Sequence, residues 1–392
     1  MSHVLFLTYR MKRGFGVDVE VSNLAAELRK KGLNISIGCM DMDGEYPDSA
    51  AFQIAANAAT VRRIARKMGV DIIVAHTSPF FEILPDLAAD FRVYALEYGD
   101  PTPELMSDCE DRRKTKINKL KNVYPHVHGM MSISRFISTD IGWPSAAVVY
   151  LGCDHVPDRG VKKASEYRPE QPLKIGALMR LGKGEAEYKG NALLITLFER
   201  LKKQIPVDIN IMGRGTPADA KDFTAAGYTV LLSKSDDERN DYLRSLDVFV
   251  TLSLWEGFNL PLVEAQALGT MSIATDAGAH PEVTPFIISD LAELERLIIA
   301  MSGNPKLLAE NSNLCYKYVR KKFRWAESAE SLLQAIGPDV VSAGKGAQQL
   351  GKLTRLRLKF GVVRQVVREQ GMGVILWRII FRIYRKVINR IR

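Results

Sequence analysis

Short uninterrupted apolar runs alternate along this chain with stretches in which apolar residues recur every three or four positions. The first run, residues 4–8, is apolar on both faces and predicts a buried strand. Arg13-Gly14-Phe15-Gly16 follows, and over residues 17–31 Val17, Val21, Leu24, Ala25 and Leu28 fall at helical spacing. Gly32 ends that helix and residues 33–38 form the next apolar run, giving strand, glycine loop, helix, strand. Further strands are predicted at 71–75, 92–96 and 129–133, and 146–150 closes a first domain over residues 1–156. Residues 157–172 concentrate Lys, Arg, Glu, Asp and Pro and predict a linker. A second series begins at 173–176, with strands at 208–212, 229–232, 248–251 and 271–274 and helices near 190–204, 237–246 and 260–268, in a domain over residues 173–337. The pattern predicts two Rossmann-like, doubly wound α/β domains in tandem. Such sheets bind ligands at the carboxyl ends of their strands, so two of them facing each other would enclose a cleft.

A length of 392 residues suits two domains with an appendage at roughly 150 residues per domain. The formal net charge of +9 is unevenly spread: residues 352–392 hold twelve Lys or Arg and one acid, Glu369, which leaves the body close to neutral. Basicity is therefore a property of the tail, and nucleic-acid binding by the body is not implied. Cys39, Cys109, Cys153 and Cys315 are far apart and show neither metal-ligand nor disulfide-framework spacing, which suits reduced thiols in a cytosolic protein. Ser2 to Leu7 reads as a first strand rather than a signal peptide. No apolar run approaches the ~18 residues of a membrane-spanning helix.

The strongest chemical signal is Ser253-Leu254-Trp255-Glu256-Gly257-Phe258-Asn259-Leu260-Pro261-Leu262-Val263-Glu264-Ala265. It follows an apolar strand, and Pro261 sits where a helix's first turn accepts proline. The amides from Gly257 to Leu260 open a helix N-terminus, which favours phosphate through free N–H groups and the helix dipole. Glu264, one to two turns in, suits vicinal ribose hydroxyls, and Glu256 lies in the loop. Together these describe a seat for a nucleoside diphosphate.

This run resembles the E-x7-E signature of glycosyltransferase family 4, S-x-x-E-G-F-x-L-P-x-x-E-A. Met179-Arg180-Leu181 followed by Lys189-Gly190 resembles that family's G-R-L…K-G element, and Ser132-Ile133-Ser134-Arg135-Phe136 its S-x-S-R-F stretch. The resemblance covers roughly residues 4–336. It implies a GT-B fold, two Rossmann-like domains facing across a cleft, and a retaining glycosyltransferase that uses a nucleoside-diphosphate sugar. It also implies site roles. Arg180 and Lys189 neutralise the donor pyrophosphate, whose charge grows as the glycosidic bond breaks. Glu264 binds the ribose, while Glu256 and the amides of Gly257 and Phe258 lie near the sugar and phosphates, with Asn259 and Leu260 in the same turn. Gly16 lets the first-domain backbone approach the phosphates and Gly14 shapes that loop. Lys183 in Lys183-Gly184 is an alternative to Lys189; Tyr188-Lys189-Gly190 leading directly into a helix favours Lys189. Gly213-Arg214-Gly215 matches the family's glycine turn, either beside the base or as a turn without a ligand.

The first domain departs from the family pattern. Glu97, in Leu96-Glu97-Tyr98-Gly99-Asp100, stands where many members carry a histidine that faces the donor sugar. Two readings of Glu97 and Asp100 stay open: a base for the acceptor hydroxyl, or acids that cap the loop. His76, after another strand, either lines the acceptor side or is satisfied within its loop. His126 and His128 lack a third ligand, and Asp41-Met42-Asp43 alone is a weak metal motif, so no metal or cofactor is expected.

Residues 338–351 suit a linker and 352–392 a basic tail of two helices, 352–368 and 372–392. In the second, Arg378, Arg382, Arg385 and Arg392 share one face, while Leu376, Ile380, Ile383, Val387 and Ile391 share the other. Such a helix suits an anionic membrane surface, with oligomerisation or packing on the first domain as alternatives. The expectation is a peripheral enzyme on the cytoplasmic face of the plasma membrane, acting on a saccharide or lipid-linked acceptor. The alternatives are a soluble acceptor, or a non-catalytic sugar-nucleotide-binding scaffold.

Overall fold

The structure is a computed structural model and describes residues 2–12, 16–43, 51–182, 188–337 and 351–370. In chain order the first elements are β1 (His3–Met11), α1 (Gly16–Lys30), β2 (Asn34–Met42), β3 (Ala51–Gln53), α2 (Ala58–Met68), β4 (Ile72–Ala75), α3 (Leu84–Leu87), β5 (Arg92–Glu97), α4 (Cys109–Asn118), β6 (Gly129–Ser132), α5 (Arg135–Asp140) and β7 (Ala147–Val148). The second series runs β8 (Leu173–Arg180), α6 (Asn191–Lys202), β9 (Val207–Arg214), α7 (Lys221–Ala225), β10 (Thr229–Leu232), α8 (Asp236–Ser245), β11 (Val248–Thr251), α9 (Leu260–Ala267), β12 (Met271–Thr275), α10 (His280–Val283) and β13 (Ile287–Ile288). Among the described residues four helices follow: α11 (Leu291–Met301), α12 (Pro305–Lys322), α13 (Trp325–Ile336) and α14 (Lys352–Gln370).

The strands form two sheets, of order β3-β2-β1-β4-β5-β6-β7 and β10-β9-β8-β11-β12-β13. The neighbours of β1 and of β8 run parallel to them. In both sheets the strand order reverses at the first strand of its series, between β1 and β4 and between β8 and β11. Doubly wound sheets bind their ligands beyond the carboxyl ends of strands at such a point. Arg180 ends β8, and the Ser253–Ala265 run begins just after β11.

Contacts divide the chain into two compact units: Met1–Leu96 with Asn122–Gly129 and Ile336–Arg392, and Glu97–Lys121 with Met130–Ala335. In the first, the side chains of β1, β2 and β4 are buried together with Val21, Leu24 and Leu28 of α1, which packs on β1 and β2, and with Val61, Ile64 and Ala65 of α2. Burial of the carbon-rich face is what holds α2, whose ends are closed by Asn57, accepting from the Thr60 amide, and by Gly69 in the left-handed region. In the second unit Ile175, Ala177, Val248, Val250, Met271 and Ile273 pack against Leu194, Leu197 and Phe198 of α6 and Leu294 and Ile298 of α11.

Most residues of the stretch 157–172 are exposed, but two anchor it: Tyr167 lies in the second unit's core, its hydroxyl 2.6 Å from Ser312 Oγ, and Lys162 is buried with its ammonium donating to the Leu246 carbonyl. One expectation needs correction. The expected glycine turn at Gly213 is strand, because β9 continues through Arg214 and pairs with β8 up to Arg180. The predicted first tail helix is present as α14, in the first unit. The predicted second helix and most of the linker before α14 lie outside the described residues.

Candidate functional site

The loop from β11 to α9 is held by its own polar side chains. Asn259 adopts a left-handed φ of 71° as the N-cap of α9, and its Oδ1 accepts from the Leu262 amide at 3.2 Å. Its amide nitrogen donates to His280 Nε2 at 2.9 Å, while His280 Nδ1 lies 2.8 Å from the Thr275 carbonyl. A carbonyl can only accept, so His280 carries its proton on Nδ1 and receives one hydrogen bond on Nε2. Burial lowers the His280 pKa and keeps the ring neutral. The Asn259 side chain thus caps α9 and ties the loop to His280. The loop also closes on Gly278, where the Ala279 amide donates to the Glu256 carbonyl at 2.9 Å; a side chain at Gly278 would strike the Glu256 backbone.

Glu256 is nearly buried and accepts from Lys189 Nζ at 2.7 Å and from Ser253 Oγ at 2.8 Å. Burial opposes the Lys189 charge, but the Glu256 carboxylate outweighs it and holds the lysine pKa above its ordinary value. Arg180 is close enough that its positive charge acts against that rise. Lys189 lies over the Tyr188 ring, 4.8 Å from its centroid, and Tyr188 meets Trp255 edge to face at 6.1 Å. The Leu254 amide donates to the Tyr188 carbonyl at 2.8 Å, tying the segment before α6 to the loop before α9. Gly190, with φ of 70°, lets the two backbones touch: a methyl there would land on the Leu252 carbonyl. The cation pair and Glu256, far apart in sequence, are thus drawn together within one unit. Lys183, the alternative to Lys189, lies outside the described residues.

Glu264 is buried on α9 with its Oε1 2.8 Å from His155 Nε2 and 3.5 Å from Arg239. The Trp325 indole donates to His155 Nδ1 at 3.2 Å, which leaves the histidine proton on Nε2, aimed at Glu264. Burial pushes the Glu264 pKa up, but Arg239 and then His155 outweigh it, and the group stays below the ordinary glutamate value. His155, Arg239 and His280 were not singled out from sequence. A histidine 109 residues from its carboxylate carries no local pattern.

The Ser132-Ile133-Ser134-Arg135-Phe136 stretch joins the same loop. Ser134 caps α5 by accepting from the Ile137 amide and donates to the Gly257 carbonyl at 2.7 Å. The amides of Arg135 and Phe136 donate to Glu282 of α10 at 3.0 and 2.8 Å. Phe258 is buried against Phe323, with centroids 5.2 Å apart, and Leu260 is buried at the start of α9. Gly213 lies inside β9 against the Met179 carbonyl, where a side chain would clash, so packing between β8 and β9 accounts for it.

The acid pair at the end of β5 is engaged. Lys119 Nζ lies 2.9 Å from Glu97 and 2.8 Å from Asp100, with Glu97 and Lys119 both buried. Burial opposes the lysine charge, yet the two carboxylates hold its pKa above the usual range; the Asp100 pKa, raised by burial, is lowered further by Lys119. Both acids are ion-paired with Lys119, a partner that the sequence reading did not name. In the first unit His76 is fully buried, its Nδ1 3.4 Å from Glu20 of α1 and its ring edge-on to Phe6. Gly16 begins α1, and Gly14 lies outside the described residues. Asp41 pairs with Arg10 at 3.1 Å, and among the described residues no group of three His, Cys, Asp or Glu side chains is arranged to hold a metal ion.

Residues 174–309 match a family model described as Glycosyl transferases group 1. Over 135 residues the chain is 30% identical to the MMP alpha-(1->4)-mannosyltransferase of Mycolicibacterium hassiacum, covering 33% of each chain. Over 117 residues it is 34% identical to the phosphatidyl-myo-inositol mannosyltransferase of Mycolicibacterium smegmatis, covering 29% of this chain and 30% of that one. The matched stretches thus span about a third of the length of these curated relatives. Among solved structures, Anabaena Alr3699/HepE in complex with UDP and glucose is similar with a TM-score of 0.64 at 15% identity, covering 85% of this chain and 99% of that one. The fold is the GT-B fold, two Rossmann-like units built on parallel sheets.

Proposed function

We propose that this protein is a retaining glycosyltransferase of the family 4 type that moves a sugar from a nucleoside-diphosphate donor to a saccharide or lipid-linked acceptor, without a metal. The observation that carries the reading is the Lys189–Glu256 pair, 2.7 Å apart beside Arg180, with ionised Glu264 eight residues on. In the reaction, Arg180 and Lys189 balance the charge that gathers on the departing diphosphate. Fixed cations in a buried setting stabilise that developing charge more than the ground state. Lys189 exchanges part of its interaction with Glu256 for the phosphates, so Glu256 holds the ammonium in place until the donor arrives. Glu264 receives the ribose hydroxyls. Retention follows from the family resemblance, and no protein nucleophile is assigned. The curated relatives are named as mannosyltransferases, one of them acting on phosphatidyl-myo-inositol, which supports an activated mannose as the first donor and a lipid-linked acceptor as the first class to try.

A thermal-shift panel of UDP, GDP, ADP, dTDP and CMP without metal, on the wild type and on Glu264→Gln, tests the donor seat. A ligand at a hundred times its Kd stabilises the folded state by about 2.7 kcal/mol. One diphosphate is expected to raise the melting temperature of the wild type and to have little effect on the variant. If none shifts the wild type at saturation, the transferase reading fails.

A further inference from the structure

The helix α14 carries two apolar stripes where packing calls for one. Leu358, Val362 and Val366, at steps of four, are buried in the first unit, where α14 lies against β3. Leu356, Phe360 and Val363, at steps of four and three, stand exposed on another face, Phe360 at 61%. Single exposed apolar side chains are ordinary on protein surfaces, but an ordered stripe of three along one helix is a surface awaiting a partner. Exposed Arg357, Arg364 and Arg368 flank the stripe on one side and Lys359 on the other. On the first of these flanks the chain adds Lys67 of α2, whose ammonium lies 3.5 Å from Thr354 Oγ1. Between Lys352 and Arg368 there is no acid.

We infer that the outer face of α14 docks the protein onto an anionic lipid surface. Leu356, Phe360 and Val363 enter the boundary between headgroups and acyl chains, and the flanking cations pair with lipid phosphates while their stems cover the edges of the stripe. Charge complementarity chooses this occupant: a second copy of the face would bring like charges together on both flanks of its stripe. Nucleic acid would place cations, not apolar side chains, at the centre of the contact. Because the opposite face of α14 is packed in the first unit, the docking face is fixed relative to that unit's sheet. The inference goes beyond the transferase reading and does not depend on it. It adds that a lipid-linked acceptor would be met at a surface to which the protein is already bound.

The test is flotation of the full chain with phosphatidylcholine vesicles, with and without phosphatidylglycerol. Wild type is compared with Leu356→Ser/Phe360→Ser, with Arg357→Glu/Arg364→Glu, and with Leu314→Ser, which alters an exposed leucine of α12. The expected result is binding only to the anionic vesicles, weakened by salt and reduced at least about tenfold in each double variant, but unchanged in Leu314→Ser. All these side chains are exposed, and unchanged melting temperatures would show that each variant is folded. Wild type that fails to float, or double variants that float like wild type, would overturn the inference. So would sedimentation showing a dimer that the double variants break, since the face would then join two copies. Loss of flotation in the variants of a protein that ignores every diphosphate would sink the donor reading and leave the docking face standing.

Discussion

Glu264 owes its charge to its neighbours. A carboxylate this deep would be raised by burial, yet Arg239 and His155 bring it below the ordinary glutamate value. Its contribution to folding is therefore full above that ordinary value and is lost as pH falls through the depressed one. The relay Trp325 to His155 to Glu264 also fixes one carboxylate oxygen, and under the proposed function the other meets the ribose. His155 is then a positioning residue, and His155→Ala should weaken binding of the diphosphate by about tenfold, the loss expected for one hydrogen bond to a charged group. His155→Gln, which retains a donor, should recover most of it. The decisive readout is titration with the matching 2′-deoxy diphosphate: its disadvantage against the ribose form should shrink in His155→Ala. If His155→Ala only lowers the melting temperature and leaves affinity and ribose discrimination unchanged, the histidine is a packing residue.

At the scale of elements, the tightest approach at any described glycine is where the segment before α6 crosses the end of β11. Gly190 combines a left-handed φ with contact against the Leu252 backbone, whereas Gly227 has a similar φ of 79° and nothing within 4 Å of where a methyl would sit. Gly227→Ala should cost only the backbone preference, about 1 kcal/mol, and Gly190→Ala that plus a backbone clash, for a total of roughly 3 kcal/mol or more. Urea unfolding of both variants separates the two terms; equal losses would mean that the crossing can open at little cost. The apolar runs located most strands because buried parallel strands need continuous apolar sequence, and β10 and β11 begin and end at the predicted residues. Strands β3 and β13, three and two residues long, are too short to leave a periodic trace. In the site, the residues of the Ser253–Ala265 run were legible because a strand, a turn and a helix start impose local spacing. Their partners His155, Arg239 and His280 were not, since a long-range hydrogen bond imposes none. Lys119 was hidden for the same reason, and without it Glu97 and Asp100 looked open.

For the molecule as a whole, the segment read as a linker stabilises or destabilises according to pH. Residues 157–172 are charged, which suggested a linker, and three of their charges find partners in the second unit: Arg159 with Asp241, Glu166 with Arg244, and Lys162 with the Leu246 carbonyl. Among the described residues Lys162 meets the Leu246 carbonyl and the face of Tyr167 at 5.6 Å, and burial lowers its pKa from 10.5 to about 8. A lysine whose folded pKa is lowered binds fewer protons folded than unfolded between those two values. Stability from this group therefore rises with pH across the window from about 8 to 10.5, and below pH 8 the full penalty is present. A shift of this size corresponds to about 3 kcal/mol. Lys162→Met removes the titrating group and its penalty while keeping the stem, at the loss of one hydrogen bond and the ring contact. Comparing urea unfolding of the two proteins near pH 7 and near pH 10 cancels the tyrosines and thiols they share. The stability of the wild type relative to Lys162→Met should increase by up to about 3 kcal/mol between the two conditions. A relative stability independent of pH would mean that water reaches the Lys162 ammonium and that the segment does not seal against the second unit.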